Sequence, residues 1–177
     1  MGTMTSMQNG AAARHRVHSS SHHPALFEKV PYFETPGFLV RRIHQIHVAT
    51  FLEECAEFDV TPVQFSVLKV LSGAETDQGS IATQIGVDRT TTAGVLRRLR
   101  ARRLVICRSD AGDLRSKLWR LSSAGERLTR DMAANASRSH ERVVACLTRP
   151  ELRLYMSFLR RLVDASNELG RAPLDLR

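Results

Sequence analysis

The sequence lacks several features whose absence excludes whole classes of protein. No apolar run reaches the roughly 18 residues that a transmembrane helix needs. Residues 1–23 contain no apolar stretch of the kind found in secretory signals, so we expect a cytoplasmic protein without a membrane partner. The three cysteines form no Cys-x-x-Cys pair, which argues against both a disulfide framework and a zinc ribbon.

The usual signatures of enzymes are missing as well. The sequence contains no nucleophile elbow, no P-loop, no dinucleotide-binding fingerprint and no His-Glu-x-x-His motif. We therefore expect no catalytic residue, no cofactor and no resident metal.

Positive charge is present in excess, and it is concentrated in one segment. The 177-residue chain carries a net charge of +8, and residues 89–120 alone contain ten Arg or Lys residues against two acidic ones. The rest of the chain is neutral. A local basic block on a neutral scaffold is typical of a surface that binds a polyanion. On charge alone, a solvated arginine-rich helix remains the alternative.

The segment from Pro36 to about Phe58 predicts a helix that is apolar on nearly every face. Such a helix is buried on most of its faces, and in a chain this small a second subunit is the expected cover. The sequence therefore predicts a homodimer.

Capping boxes predict where three further helices begin: Thr61–Gln64, Ser123–Glu126 and Thr148–Glu151. We expect a loop over residues 73–79 and a continuous helix from the second capping box through Leu147.

Residues 81–91 have the pattern of a helix-turn-helix, with helices expected at about 80–85 and 89–103. Ala82 is small enough to let the two helices approach, and Gly86 suits the left-handed turn between them. Asp88 is expected to cap the second helix.

The beginning of this second helix is the part expected to enter the major groove of DNA. Its candidate contacts with base edges and phosphates are Arg89, Thr90, Thr91 and Thr92. Arg97 and Arg98 lie farther along the helix, where phosphate contact is the better expectation.

Two short strands, at 104–108 and 117–121, surround a polar turn and predict a wing. The predicted fold class is mainly α with a small β-wing: a winged helix-turn-helix with a helical dimerisation region built from the N- and C-terminal helices. We divide the chain into a disordered arm at 1–23, an N-terminal dimerisation helix at 24–60, a winged helix-turn-helix DNA-binding domain at 61–122, and C-terminal dimerisation helices at 123–177.

In its motifs the sequence resembles the MarR family of transcriptional regulators. Asp113-Leu114-Arg115 resembles the Asp-x-Arg signature of the family wing, and Leu121–Gly125 and Thr61–Leu68 resemble two further family motifs. The resemblance implies a homodimer formed by the first, fifth and sixth helices, bound to double-stranded DNA at a palindromic operator. It also implies that Arg115 enters the minor groove, that Asp113 orients the wing, and that Lys117 lies at the same DNA-contacting hairpin.

The resemblance further implies a repressor that a small-molecule effector releases from DNA. Residues 36–47 resemble the branch that represses nicotinate catabolism, which suggests a hydroxynicotinate or a similar aromatic carboxylate. The candidate effector residues are Arg41, His44, His47, Phe51 and Phe65.

Alternatives stay open at this point. The two histidines can simply be packed residues of the core or the interface. Cys55 could sense oxidants, or could join His44 and His47 in a metal sensor. A nonspecific architectural DNA-binding protein is the alternative to a sequence-specific regulator.

Overall fold

The computed structural model describes residues 26–109, 117–170 and 172–174. Helices dominate; of the three strands in a small antiparallel sheet, one follows the second helix in the chain and two follow the fourth. The elements are α1 (Pro36–Glu54), α2 (Pro62–Gly73), β1 (Thr76–Asp77), α3 (Gln78–Ile85), α4 (Arg89–Ala101), β2 (Val105–Ser109), β3 (Lys117–Leu121), α5 (Ser123–Asp131), α6 (Ala133–Val143) and α7 (Arg149–Ser166). None of the helices in the described ranges has the length and apolar character that crossing a bilayer requires.

The chain divides into two compact units, residues 1–39 and 40–177. In the described part of the first unit, a short 3₁₀ helix at Tyr32–Glu34 precedes α1. The rings of Tyr32, Phe33 and Phe38 pack edge to face there, with centroids 5.2 to 5.5 Å apart. The edge-to-face arrangement is the one that aromatic quadrupoles favour.

The second unit contains the hydrophobic core, to which α1 to α6 and the sheet all contribute. The buried residues recur at the spacing that helical and strand periodicity require. The core residues are Phe51, Cys55, Val60, Val67, Leu68, Leu71, Ile81, Val95, Leu96, Leu99, Leu104, Val105, Trp119, Leu121, Met132 and Ala136.

Strand β3 is the central strand of the sheet, whose order is β1-β3-β2. Trp119 lies opposite Cys107 on one side and Thr76 on the other. The hairpin of β2 and β3 confirms the predicted wing strands. Strand β1 was not predicted, because a two-residue strand is too short for alternation to reveal it.

The turns of the helix-turn-helix form as predicted. Gly86 has a φ of 63° and ends α3, where its amide reaches the carbonyls of Ala82 and Thr83. Asp88 caps α4 by accepting from the Thr91 amide at 2.9 Å. The Thr61–Gln64 capping box is formed in both directions at the start of α2.

Two predictions in the C-terminal half were wrong. The helix cap is Ser122 rather than Ser123, because the Ser122 hydroxyl accepts from the Gly125 amide at 3.0 Å. The expected continuous helix is divided at Met132 and ends at Val143, so that residues 144–147 form turns. At the third predicted box, the Thr148 amide and hydroxyl both donate to the Glu151 carboxylate, at 2.8 and 2.7 Å.

The beginning of α5 lies against Leu104, which connects α4 to β2. The Leu104 carbonyl accepts from the Ser122 amide at 3.0 Å. The Ser122 hydroxyl donates to the neighbouring Arg103 carbonyl at 2.7 Å and lies 3.2 Å from the Leu104 oxygen. Gly125 lies so close that a Cβ added there would be 2.1 Å from this carbonyl oxygen. The close approach gives a physical reason for glycine at this position.

We predict that Gly125→Ala lowers the free energy of unfolding by about 3 kcal/mol, because backbone on both sides must shift to admit the methyl group. Gly73→Ala is the matched control, since no atom lies within 4 Å of its added Cβ. Urea unfolding at one fixed protein concentration measures both. Equal stability of the two variants would contradict the close packing at Leu104.

Candidate DNA-binding surface and effector site

The positions of α3 and α4 are set by side-chain caps at both helix starts. Asp77 accepts from the amides of Gly79 and Ser80 at 2.7 and 3.1 Å. Gln78 donates to the carbonyl oxygen of Arg89 at 3.1 Å, which ties the start of α3 to the start of α4. Hydrogen bonds from Ser80 lower the pKa of Asp77, and the Thr91 amide lowers the pKa of Asp88. Both caps are therefore ionised at neutral pH, where they accept most strongly.

Helix α4 has one buried face and one exposed face. Val95, Leu96 and Leu99 are at most 2% exposed and fasten it to the core. The opposite face carries most of its predicted DNA-binding residues, all of them exposed: Arg89, Thr90, Thr91, Arg97 and Arg98. The exposed start of α4 is thus presented on a rigid support, as the entry of a recognition helix into a major groove requires.

Thr92 is a correction to the predicted set. Its side chain is 0% exposed, and its hydroxyl donates to the Val87 carbonyl at 3.4 Å. The residue follows the exposed triplet directly, but the helical turn of 100° per residue carries it onto the core face. Thr92 therefore supports the helix and has no surface to offer to DNA.

Two arginines of the basic block are used inside the protein. Arg108 forms a two-pronged contact with Glu75, at 2.8 and 2.7 Å. Arg102 donates to the carbonyl oxygens of Phe58 and Asp59. The charge available to a polyanion is therefore smaller than the sequence count suggests.

The structure describes only one of the three predicted wing residues, Lys117. Asp113 and Arg115 lie outside the described residues. Lys117 is exposed at the first position of β3, opposite Ser109. Strand β2, which follows α4 in the chain, packs against it.

The second candidate site is a row of rings between α1, α2 and α6. Phe51 lies 5.7 Å from Phe65, and His47 lies 6.4 Å from Phe51, measured between ring centroids. His47 also stacks on His140 at 5.0 Å with an interplanar angle of 13°. Three of the predicted effector residues are therefore brought together. His44 and Arg41 are exposed on the preceding turns of α1.

His140 was missed by the sequence reasoning. Its signal was present, because it lies between Ala136 and Val143 on the apolar stripe that predicted this helix. Burial is the main reason why the pKa of His47 is lowered, and the charges of His140 and His44 add to the effect. His47 is consequently neutral at pH 7 and can both donate and accept a hydrogen bond.

Ion pairs fasten the end of α1 to α6 beside this row. The Glu54 carboxylate accepts from Arg142 at 2.7 Å and from Arg138 at 3.1 Å. These hydrogen bonds, that of Arg142 first, lower the pKa of Glu54. The Asn135 amide group donates to the Glu54 carbonyl oxygen at 2.6 Å.

The geometry does not favour the thiol and metal alternatives. Cys55 is 1% exposed, and burial raises the pKa of its thiol, which opposes formation of the reactive thiolate. Within the described ranges no three His, Cys, Asp or Glu side chains converge as a metal would require, so His44, His47 and Cys55 do not form a metal-binding group.

Comparison with known proteins agrees with this arrangement. A family model described as the MarR family matches residues 58–116. The chain is 29% identical to the HTH-type transcriptional repressor NicR of Pseudomonas putida, over 82% of this chain and 94% of that protein.

Two solved structures are similar over most of their length. Bordetella bronchiseptica BpsR, whose DNA binding is regulated by 6-hydroxynicotinic acid, has a TM-score of 0.72 and 29% identity over 76% of this chain and 96% of its own. The PcaV transcriptional regulator of Streptomyces coelicolor has a TM-score of 0.66 and 32% identity over 75% and 97%.

We predict that Arg89→Ala weakens binding to DNA from upstream of the gene by about 1–3 kcal/mol and reduces sequence preference, as expected when a base-contacting arginine is lost. Arg127→Ala is the control, because this exposed arginine of α5 carries the same charge at a position away from α4. Fluorescence anisotropy with a cognate and a scrambled duplex measures both. Equal losses on the two duplexes would mean that Arg89 touches only phosphates.

We predict that the free energy of unfolding falls as the pH drops from 7 towards 5. The unfolded chain protonates His47 near the ordinary pKa of 6.5, whereas the folded chain resists protonation until a lower pH. Proton binding therefore favours unfolding between pH 7 and pH 5. The carboxyl groups with lowered pKa values titrate below this window, so they do not account for the change.

His47→Gln removes this titration, so its unfolding free energy should decline less steeply over the same window. Urea unfolding at several pH values, at constant protein concentration, gives both slopes. Identical slopes in the two proteins would refute the assignment to His47.

Proposed function

The chain belongs to the MarR family, and on that premise we propose that it is a homodimeric, sequence-specific repressor that an aromatic carboxylate releases from its operator. The observation that carries this proposal is that one chain contains both the exposed, capped start of α4 and the row of rings between α1, α2 and α6. Together these features supply a DNA-contacting element and a place for a ligand. A protein that represses transcription in this way works in the cytoplasm.

Two apolar surfaces support dimerisation. On α1, Leu39, Val40, Ile43 and Ile46 are 40% to 62% exposed. Helix α7 has no buried residue although its apolar residues fall on a stripe. Apolar patches of this extent are rare on monomers and usually mark an interface. We propose that residues 24–60 and 123–177 form the dimerisation region, with 61–122 as the DNA-binding domain.

A dimer presents two copies of α4, related by a twofold axis. Two such helices fit a palindromic operator whose half-sites are roughly 34 Å apart, one turn of the duplex. Arg89, Thr90 and Thr91 supply the candidate base contacts. Arg97, Arg98 and Lys117 supply phosphate contacts, and the wing with Asp113 and Arg115 follows the adjacent minor groove.

The effector site is proposed at the row of rings. Half-buried Phe65, which packs on the buried ring of Phe51, suits a planar ring, while His44, His47 and Arg41 supply polar and cationic groups for a carboxylate and a ring hydroxyl. A hydroxynicotinate has all three features. The likeness to NicR and to BpsR, which 6-hydroxynicotinic acid regulates, favours this ligand over other aromatic acids.

The nonspecific architectural alternative has less support. The Asp88 cap and the Gln78 hydrogen bond hold the start of α4, and with it Arg89, in one position. A protein that contacts only phosphates does not require such precise positioning. Such a protein would bind scrambled and cognate DNA equally well, with a steep dependence on salt.

We predict tight binding to a duplex from the region upstream of the gene, and release of that duplex by 6-hydroxynicotinate. Anisotropy of the labelled duplex measures both. Nicotinamide is the control ligand because it has the ring without the carboxylate. Operator binding that no aromatic acid changes would leave a DNA-binding protein but overturn the proposed effector.

His47→Ala should keep operator affinity and weaken the response to 6-hydroxynicotinate by at least about tenfold, if the imidazole holds the ligand through one charge-assisted hydrogen bond. Thr83→Ala is the control, since Thr83 is exposed on α3 and its hydroxyl donates to the Gly79 carbonyl of the same helix. A normal response of His47→Ala would place the effector elsewhere.

A further inference from the structure

The end of α4 is fastened to the segment after α1 by the side chain of Arg102. Its guanidinium donates to the carbonyl oxygens of Phe58 and Asp59, the first of them at 2.9 Å. These partners lie 44 and 43 residues earlier in the chain. Hydrogen bonds from a charged donor are roughly twice as strong as neutral ones, so the contact is a firm one.

The backbone carbonyls matter more in this contact than the Asp59 carboxylate. The carboxylate is 3.7 Å from the guanidinium, and its side chain is 95% exposed, where water screens the attraction. Asp59 has a φ of 51°, in the left-handed region, and it reverses the chain there. The reversal brings two consecutive carbonyl oxygens to one guanidinium.

An open cleft lies beside this contact. It measures about 440 Å³ and is lined by residues of the end of α1, the start of α2 and the end of α4, among them Leu52, Val60 and Ala101. Side chains do not fill the space between the helix ends here. Arg102 therefore connects α1 to α4 at a place where close packing does not do so.

The other side of the α1 terminus is held by α6, through the pairs of Glu54 with Arg138 and Arg142. Helix α1 also carries His47, about 10 Å from Glu54 at a rise of 1.5 Å per residue. A ligand that separates His47 from His140 displaces α1 relative to α6. Helix α1 ends at Glu54, but backbone hydrogen bonds continue from Phe51 through Cys55 to Phe58 in a short 3₁₀ turn at Ala56–Phe58. A displacement of α1 is passed along this turn to Phe58 and Asp59.

We propose that Arg102 is a positioning residue that transmits the state of the effector site on α1 to the recognition helix α4. In this scheme the guanidinium follows the carbonyls of Phe58 and Asp59, and α4 turns with it. The inference rests on the proposed function, since it concerns the regulation of the same site. Arg102 itself contacts neither the effector nor DNA in this proposal.

The test is the coupling between effector and operator in the full-length dimer. Calorimetry gives the Kd of 6-hydroxynicotinate without DNA and with saturating operator duplex, and the ratio of the two is the coupling factor. We expect a ratio of at least about fivefold for the wild type, the lower end of typical allosteric coupling. For Arg102→Gln we expect a ratio near one, with the Kd without DNA within about twofold of the wild type.

Arg100→Gln is the matched control, because it removes one charge from the same exposed helix end. It should keep the wild-type ratio. A wild-type ratio in Arg102→Gln would overturn the inference. A ratio of one in the wild type would overturn the proposed effector instead, so the two failures are distinguishable.

Two further variants keep the test decisive if Arg102→Gln folds poorly, which circular dichroism detects. Asp59→Gly removes the carboxylate, and glycine adopts the left-handed conformation freely. It should retain the coupling factor, because the carbonyls remain. Arg102→Lys keeps the charge but cannot span two carbonyls with a rigid fork, so its ratio should lie between those of wild type and Arg102→Gln. Coupling lost in Asp59→Gly and retained in Arg102→Lys would overturn the carbonyl contact.

Discussion

The hydrogen bonds at the Leu104 carbonyl are the constraint on which the arrangement of the whole second unit depends. Leu104 follows the recognition helix and precedes β2, while Ser122 follows β3 and caps α5. One backbone oxygen at the start of the β2–β3 hairpin therefore contacts the residue that begins the C-terminal helices. Gly125 makes the approach possible, because any side chain there would collide with the same oxygen. The wing and the helical region consequently keep one relative position at this point.

Helix caps and turns, which depend on neighbouring residues, were predicted most reliably from the sequence. The caps at Thr61 and Asp88 and the turn at Gly86 depend on residues within four positions, and all three formed as expected. The error at Ser122 has the same local origin. Two consecutive serines both offered a hydroxyl, and the choice between them depends on the distant carbonyls of Arg103 and Leu104, which lie 2.7 and 3.2 Å from the Ser122 hydroxyl.

Long-range pairing explains the larger omissions. Strand β1 exists only because Thr76 and Asp77 lie beside Trp119 and Leu118, more than forty residues away. The contacts of Arg102 with Phe58 and Asp59 were equally invisible in sequence, where Arg102 is one of many arginines. His47 was expected to matter, but its stacking partner His140 lies on a helix whose register the sequence analysis used only for apolar residues. Thr92 shows the converse, since a polar residue next to exposed ones can still face the core.

The exposed apolar face of α7 has a consequence for the abundance of the protein in a cell. This helix has 18 residues, none of them fully buried within one chain, and the stability of protein helices comes mostly from packing of the apolar face. Association that covers this face therefore adds to the stability of α7, and newly made chains at low concentration expose it to proteases. Turnover would be fast until enough copies accumulate to pair. The concentration at which copies pair would thus set a floor below which the regulator does not persist.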